Sequence, residues 1–513
     1  MKQIWLSKRV WIALTLCLII SLLVRLPLID YPVHNSESWR DYLVARHIVK
    51  YGERPLTGPC CLWNGQLGNL RHSAVYYYLI ALPLIISDHP LFWQSVNILF
   101  QVAGIALVFL LAREMFGLST AVAATLLFSL HATILKESQF VWQPHVMEPL
   151  LICSYLFLLL AYTRKSFWLL FWSVIIFVLA AVVHNAAFAV VPIYGVLVYT
   201  VAKRQRFPLR SCLGLGVGAG IWLVVLYLPW LYFVSVNHVN LTISSPLGGF
   251  LVKNVGELGR ELGKNSQLLR QELLFTPGIL LLVVLDSVNY WRCRKSLPPV
   301  QVRFWVILVG AVLLCIVGVS LFKLPMQSYY FTPLISLMVI WASETVWGGR
   351  SLWRVGYLVT PLYFIYLLYV SSAHFYFLKL PNLAQRIYLQ PAVSALVVAI
   401  KGLQKSDRYP HPDFFRLKTY VSGIESSATA DLLFWALLER SLGYKLLTVG
   451  DRDQSYSVIT GDAYMFLVCY SYAYTMNEKD ECITPFLTHY PQFVLKQEIH
   501  RSPRAVVFIA KKS

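Results

Sequence analysis

The residues best suited to chemistry lie in one acidic stretch near the N-terminus, DYPVHNSESWRDYLVARHIVKYGERPLTGP. Glu37 and Asp41 are four apart, so on a helix they share a face. Arg40 beside them helps keep one carboxylate ionised. A carboxylate at a membrane surface is suited to take the proton of an attacking hydroxyl. The same two acids also fit a plain solvated helix start, because acids favour the first turn. Tyr42, Leu43, Ala45, Ile48 and Val49 follow as an apolar stripe at helical spacing.

Further polar groups recur at the ends of successive apolar runs. They are His72, then Lys136, Glu137, Trp142, His145 and Glu148, then His184 and Asn185, then Lys323, Gln327, Tyr329 and Tyr330. Singly, each fits an interfacial or hydrogen-bonded side chain. Their recurrence at the same side fits the wall of one cavity, placed at a surface rather than at the bilayer midplane where a transporter keeps its ionisable groups.

The elements that must position these residues are apolar helices. The 513-residue chain is 57% hydrophobic and 13% charged, against about 25% charged in a soluble domain. Runs near the roughly 20 residues needed to span a bilayer recur at 10–29, 92–112, 118–135, 146–163, 167–183, 186–202, 211–235, 273–291, 303–322, 328–347 and 352–374. The first follows Met1, Lys2, Lys8 and Arg9, is long for a signal h-region and lacks a small-residue cleavage site, so it reads as a retained span. The net charge of +19 suggests nucleic acid only until its distribution is considered. The basic residues sit in short loops, and zinc-type spacing, a Walker loop and a dinucleotide fingerprint are all missing. The fold class is therefore mainly α, a polytopic transmembrane bundle of about eleven spans.

Charge also predicts orientation. With the N-terminus inside, alternate loops collect Lys2, Lys8 and Arg9; Arg113; Arg164 and Lys165; Lys203, Arg204, Arg206 and Arg210; Arg292, Arg294 and Lys295; Arg350 and Arg354. The opposite loops mix signs, as the positive-inside rule expects. This holds only if 74–86, about 13 residues and rich in tyrosine, is an interfacial or re-entrant helix rather than a span. The outer loop 30–73 and everything after residue 375 then share the extracytoplasmic side. Past that point prolines and charges become denser, and helix-like stretches (392–403, 430–442) alternate with strand-like ones (415–421, 464–470, 505–510). The expected organisation is a transmembrane domain over 1–375 and a small extracytoplasmic α/β domain over 376–513. There Cys469 and Cys482 either bond to each other or stay free.

The same segments resemble the GT-C membrane glycosyltransferases that use lipid-phosphate sugars. These are relatives of the protein mannosyltransferase and aminoarabinose transferase, and the likeness is nearest to bacterial members with the so-called RgtA/B/C/D-like domain. Glu37 with Arg40-Asp41 and LVARHIV resembles that family's acidic motif and following helix. GERPLTGP resembles its next turn, HSAVYYYLIALP its tyrosine-rich helix, and Trp142-Gln143-Pro144-His145 a W-N-P-N segment. His184, before a span containing Pro192, resembles a family histidine. Ser36-Glu37 stands where many relatives have Asp or Asp-Glu, which keeps a carboxylate. Tyr329-Tyr330 stands where many have a basic residue or His before Tyr.

The resemblance implies inverting transfer from a polyprenyl-phosphate sugar donor to a glycan, lipid or protein acceptor, within a membrane of lipid that is most simply a bacterial inner membrane. Glu37 is the implied base, with Asp41 second. Arg71, His72 and Lys323 would receive the leaving phosphate, and Arg40, Tyr76, Trp142, His145, His184, Gln327 and Tyr330 would line the substrates. No cofactor and no metal are expected, and no nucleic-acid partner. The competing classes are a polytopic transporter or flippase, and a non-catalytic component of envelope polysaccharide assembly.

Overall fold

The computed structural model describes residues 7–29, 36–60, 71–131, 134–135, 138, 140–236, 256–264, 332–347, 391–403, 415–421, 424–425, 437–438, 440–442, 447–449, 456–458, 464–470, 482–502 and 505–512. The expected spans 273–291, 303–322 and 352–374 lie outside them, and so does a full count of crossings. The chain forms two compact units. One takes Met1–Pro27, Leu56–Tyr76 and Val96–His374; the other takes Leu28–Pro55, Tyr77–Ser95 and Phe375–Ser513.

The first unit is helical. Its helices are α1 (Lys8–Arg25), α5 (Leu118–Leu130), α6 (Gln143–Arg164), α7 (Phe167–Val183), α8 (Val191–Arg204), α9 (Leu209–Val236) and α10 (Thr332–Trp347). Most of α4 (Pro90–Phe116) belongs to it as well. Four helical segments among the described residues are long and apolar enough to cross a membrane: Lys8–Leu28, Pro90–Phe116, Gln143–Arg164 and Leu209–Pro229. Helix α1 shows Trp11, Ile12, Leu16 and Leu23 on its surface, and α9 shows Leu213, Val217, Ile221 and Leu228. Faces of this kind suit hydrocarbon and not water. Helix α5 stops at Leu130 rather than running to 135, because His131 turns extended.

Local chemistry sets how these helices meet. Lys165 adopts the left-handed conformation and ends α6; the Ser166 side chain then accepts the Leu169 N–H and starts α7. A reversal this short makes the two helices antiparallel neighbours. Ser154 and Ser173 bind them reciprocally, each hydroxyl donating to the other's carbonyl at 2.9 and 2.8 Å. Small polar residues allow this close approach in an apolar medium. Helix α5 packs on α1 and α10.

The second unit contains α2 (Ser36–Tyr51) and most of α3 (Val75–Ala81), with the 3-10 turn Leu82–Ile85 that follows. The helical run 75–85 is about 17 Å long, too short to span about 30 Å of hydrocarbon. It exposes Leu82 and Ile85, and Ile86 just after it is exposed as well. The C-terminal part holds α11 (Pro391–Leu403), α12 (Thr484–His489) and a mixed sheet. Its strands are β3 (Phe415–Val421), β4 (Ile424–Glu425), β7 (Tyr464–Tyr470), β8 (Phe493–Arg501) and β9 (Ala505–Lys512), in the order β4-β3-β7-β9-β8. Strands β3 and β7 run parallel and the other pairs antiparallel. The three stretches read as strands from alternation are all strands here. A separate pair, β5 (Leu447–Val449) with β6 (Tyr456–Val458), is antiparallel. Of the helix expected at 430–442, only 437–438 and 440–442 are described, and these are helical.

Cys469 in β7 and Cys482 before α12 are bonded. They sit among Leu467, Phe486, Phe493, Val506 and Phe508 in the sheet's core. Closing a loop of this size stabilises by about 3 kcal/mol through the unfolded chain. Peptide mapping without reduction should recover the Cys469–Cys482 cross-linked peptide. Replacing both by serine should speed proteolysis within 415–512 while leaving cleavage in the helical unit unchanged.

Candidate functional site

The acidic motif lies at the start of α2. Glu37 falls in its first turn, one turn before Asp41 on the same continuous helix. Asp41 is fully buried and Arg40 nearly so. The Arg40 guanidinium forks onto one Asp41 oxygen, Nε and Nη2 donating to Oδ1 at 2.9 and 2.8 Å. A solvated helix start is therefore excluded for Asp41. The apolar stripe is also wider than its spacing suggests. Tyr42, Leu43 and Ala45 are buried, but so are Arg46 and His47, whereas Val49 is exposed.

This burial has a specific cause. Tyr42 meets Trp39 and Trp93 edge-on, with ring centroids 5.7 and 5.5 Å apart, and its hydroxyl donates to the Asp88 carbonyl at 2.5 Å. Trp93 Nε1 donates to the Ile80 carbonyl at 2.8 Å. Asp88 faces two guanidinium groups, Arg46 at 3.5 Å and Arg440 at 3.6 Å. Helix α2 is thus clamped along its length by aromatic contacts and by charge.

In the helical unit a second group of candidates gathers. The hairpin of β1 (Thr57–Cys60) and β2 (Arg71–Ser73) carries His72. A Cβ at Gly58 would fall 2.3 Å from the Ser73 carbonyl oxygen, so only glycine permits the hairpin's close approach. Ser73 Oγ donates to the Leu226 carbonyl of α9 at 2.6 Å, and β2 packs on both α7 and α9. The result is that His72 stacks on His184, with centroids 5.1 Å and planes 20° apart.

His184 lies in the turn after α7, outside either helix. Its Nδ1 accepts the Ala186 N–H at 3.1 Å and starts the 3-10 turn Asn185–Val190. That bond leaves the ring proton on Nε2. Burial first, and then the neighbouring imidazoles of His72 and His145, hold His184 well below the usual histidine range. His145 Nδ1 meets the Phe140 carbonyl at 2.9 Å, and its ring packs edge-on to Trp142 at 5.6 Å.

His72, His145 and His184 are thus brought together, with Trp142 beside them. Arg71 precedes His72 in β2, and Tyr76 is buried in α3. Lys323, Gln327 and Tyr330 lie outside the described residues, as do Lys136 and Glu137. Among the described residues no group of three or more His, Cys, Asp or Glu is placed to hold a metal ion.

Two sets of residues were missed by sequence reasoning. Pro149 lies inside α6 and has no N–H to give the His145 carbonyl. Gln101 of α4 supplies the missing donor, Nε2 to O at 2.6 Å, and Asn97 reaches the Phe140 carbonyl at 3.4 Å. Amides recurring at helical spacing within an apolar run were the available signal. The second set surrounds Arg25, a cation inside the first apolar run. It is buried, with Nε donating to Ser138 Oγ at 2.9 Å and Nη1 to Ser129 Oγ at 3.0 Å. Glu148, buried on α6, acts on it electrostatically.

No protein-family model and no curated protein sequence matches the chain. Solved structures do. ArnT from Cupriavidus metallidurans bound to undecaprenyl phosphate is similar with a TM-score of 0.59 and 14% identity, over 98% of both chains. Its apo state is similar with a TM-score of 0.55 and 13% identity, over 97% of both. The chain has a GT-C fold. A more distant likeness is to the archaeal oligosaccharyltransferase AglB from Archaeoglobus fulgidus, with a TM-score of 0.47 and 13% identity over 84% of this chain and 64% of that one. The likeness to ArnT shows the fold, and identities of 14% and 13% leave substrate and acceptor to other arguments.

The His184 environment generates a test. Its folded-state value lies below the roughly 6.5 of the unfolded chain. Between those values the unfolded state binds more protons, so the contribution to stability is complete above about pH 6.5 and is lost as pH falls below it. In His184→Asn the amide oxygen can still accept the Ala186 N–H but does not titrate. Thermal unfolding measured from pH 7.5 to 5 should show the wild type losing more stability on the acid side than this variant.

Proposed function

We propose that the chain is a membrane glycosyltransferase that moves a sugar from a polyprenyl-phosphate donor to a hydroxyl of an extracytoplasmic glycan, lipid or protein, with inversion. The observation that carries this reading is the acidic turn of α2. Glu37 stands one turn before a carboxylate that is fully buried and forked by Arg40. Likeness of fold along the whole chain to a protein bound to undecaprenyl phosphate supports the donor class. The loop charge bias supports an N-terminus in the cytoplasm, with the 30–73 loop and residues 376–513 on the other side. The Cys469–Cys482 bond supports the same orientation, since disulfides persist in oxidising compartments.

Glu37 acts as the base. The acceptor oxygen forms a bond to the anomeric carbon as the carbon–oxygen bond to phosphate breaks. The electron pair leaves with the lipid phosphate, and the hydroxyl proton passes to Glu37. Arg71, His72 and Lys323 supply donors and positive charge to the departing phosphate. Asp41 is a positioning residue, because both Arg40 donors converge on it. The stacked His72–His184 pair holds β2, the strand in which Arg71 lies.

The test is sugar transfer in membranes supplied with a lipid-phosphate sugar. Glu37→Gln should lower kcat by about 10²–10⁴-fold, the usual contribution of a general base. Asp41→Asn should lower activity and stability together, because it weakens the buried ion pair with Arg40. Full transfer by both single variants and by the double variant would sink the assignment. Movement of donor lipid across the bilayer without its consumption would replace the transferase by a flippase.

A further inference from the structure

The helical unit has a cavity that none of the three clustered histidines lines. It is a groove of about 790 Å³ between α7, α8 and α9, a volume within the range of ligand sites. Helix α8 lines it with Val191, Tyr194, Val198, Ala202 and Lys203, a stripe at helical spacing. From Val191 to Lys203 the helix rises about 18 Å, which is close to one leaflet, half of a hydrocarbon core about 30 Å thick.

The groove separates apolar from charged surface along its length. Phe177 stacks flat on Tyr194 in its wall. The Tyr194 hydroxyl is occupied by Ser154 and Ser173, so only the ring faces the cavity. Gly195 and Gly216 line it too, and an added Cβ at either would meet nothing within 4 Å. Such a wall is largely apolar. Positive charge is confined to one end, where Lys203 and Arg206 are both exposed.

Arg206 has a backbone φ of 53°, in the left-handed region that glycine occupies more readily. It lies past the end of α8, in a turn where Arg206 N–H donates to the Lys203 carbonyl and Phe207 N–H to the Ala202 carbonyl. Lys203 alone would fit a cation placed against the helix dipole. These two bonds form a Schellman cap, in which a left-handed residue ends α8 as Lys165 ends α6, and the cap keeps Arg206 beside Lys203 at the groove end.

We propose that this groove holds one acyl chain of an anionic glycerophospholipid, with the headgroup phosphate on Lys203 and Arg206. Basic pockets between membrane helices recognise acidic headgroups in this way. The depth of one leaflet favours a fatty-acyl chain over a polyprenyl chain, which would outrun it. The proposal does not depend on the transferase reading.

The test is native mass spectrometry of the purified full chain in detergent, titrated with phosphatidylglycerol, phosphatidylcholine or a polyprenyl phosphate. One phosphatidylglycerol should bind per chain, at least about tenfold more tightly than phosphatidylcholine. Lys203→Gln combined with Arg206→Gly should abolish that preference without lowering the melting temperature, because glycine suits the left-handed turn. Gly195→Leu combined with Gly216→Leu should expel the lipid with both cations in place. Equal binding of phosphatidylcholine, an unchanged preference in the charge variant, or stronger binding of the polyprenyl phosphate would each overturn the proposal. If the leucine variant fails to fold, the charge variant decides.

Discussion

A carbonyl that loses its helical partner in hydrocarbon must find another donor, since each unsatisfied group there costs several kcal/mol. Pro149 creates that need at His145, and Gln101 meets it. The one contact fixes the register of α4 against α6. It also agrees with the packing, because a Cβ at Gly104 would fall 3.0 Å from the Pro149 ring. With the first turn of α6 held, His145 can turn its Nδ1 to the Phe140 carbonyl and pack against Trp142. A missing N–H inside one helix thus organises the segment that carries two candidate site residues.

The same constraint applies to charge. Buried ions must be compensated, and removing one partner of a buried pair costs about 3–5 kcal/mol. Arg40 and Asp41 meet the requirement between adjacent residues, which ties the compensation to the geometry of a single helical turn. Arg25 meets it over distance, through serines from two other segments and the field of Glu148. Catalytic groups set on such supports would be held in place before any substrate arrives.

What could be read from sequence follows the range of each interaction. Helices α4, α6 and α9 were legible because apolar runs of their length have few other uses. The strands 415–421 and 464–470 were legible from alternation. Burial of Asp41 was not, because its counter-charge is a neighbour that looks equally solvated in one dimension. The His72–His184 stack was not, because it joins a hairpin to a turn more than a hundred residues later. The Asn97–Gln101 pair hid in plain view, since uncharged amides barely dent the hydrophobicity of the run that contains them. Cys469 and Cys482 could not be paired by spacing alone; the fold of β7 against the start of α12 brings them together.

The division of the chain has a practical side. The polypeptide passes between its two compact units five times, at residues 27/28, 55/56, 76/77, 95/96 and 374/375. Cutting after His374 would therefore not excise a free-standing module. It would strand Leu28–Pro55 and Tyr77–Ser95 without the remainder of their unit, and with them the Asp88 carboxylate that Arg440 approaches. Truncation is a poor way to dissect this protein. Point substitutions in the intact polypeptide keep both units whole.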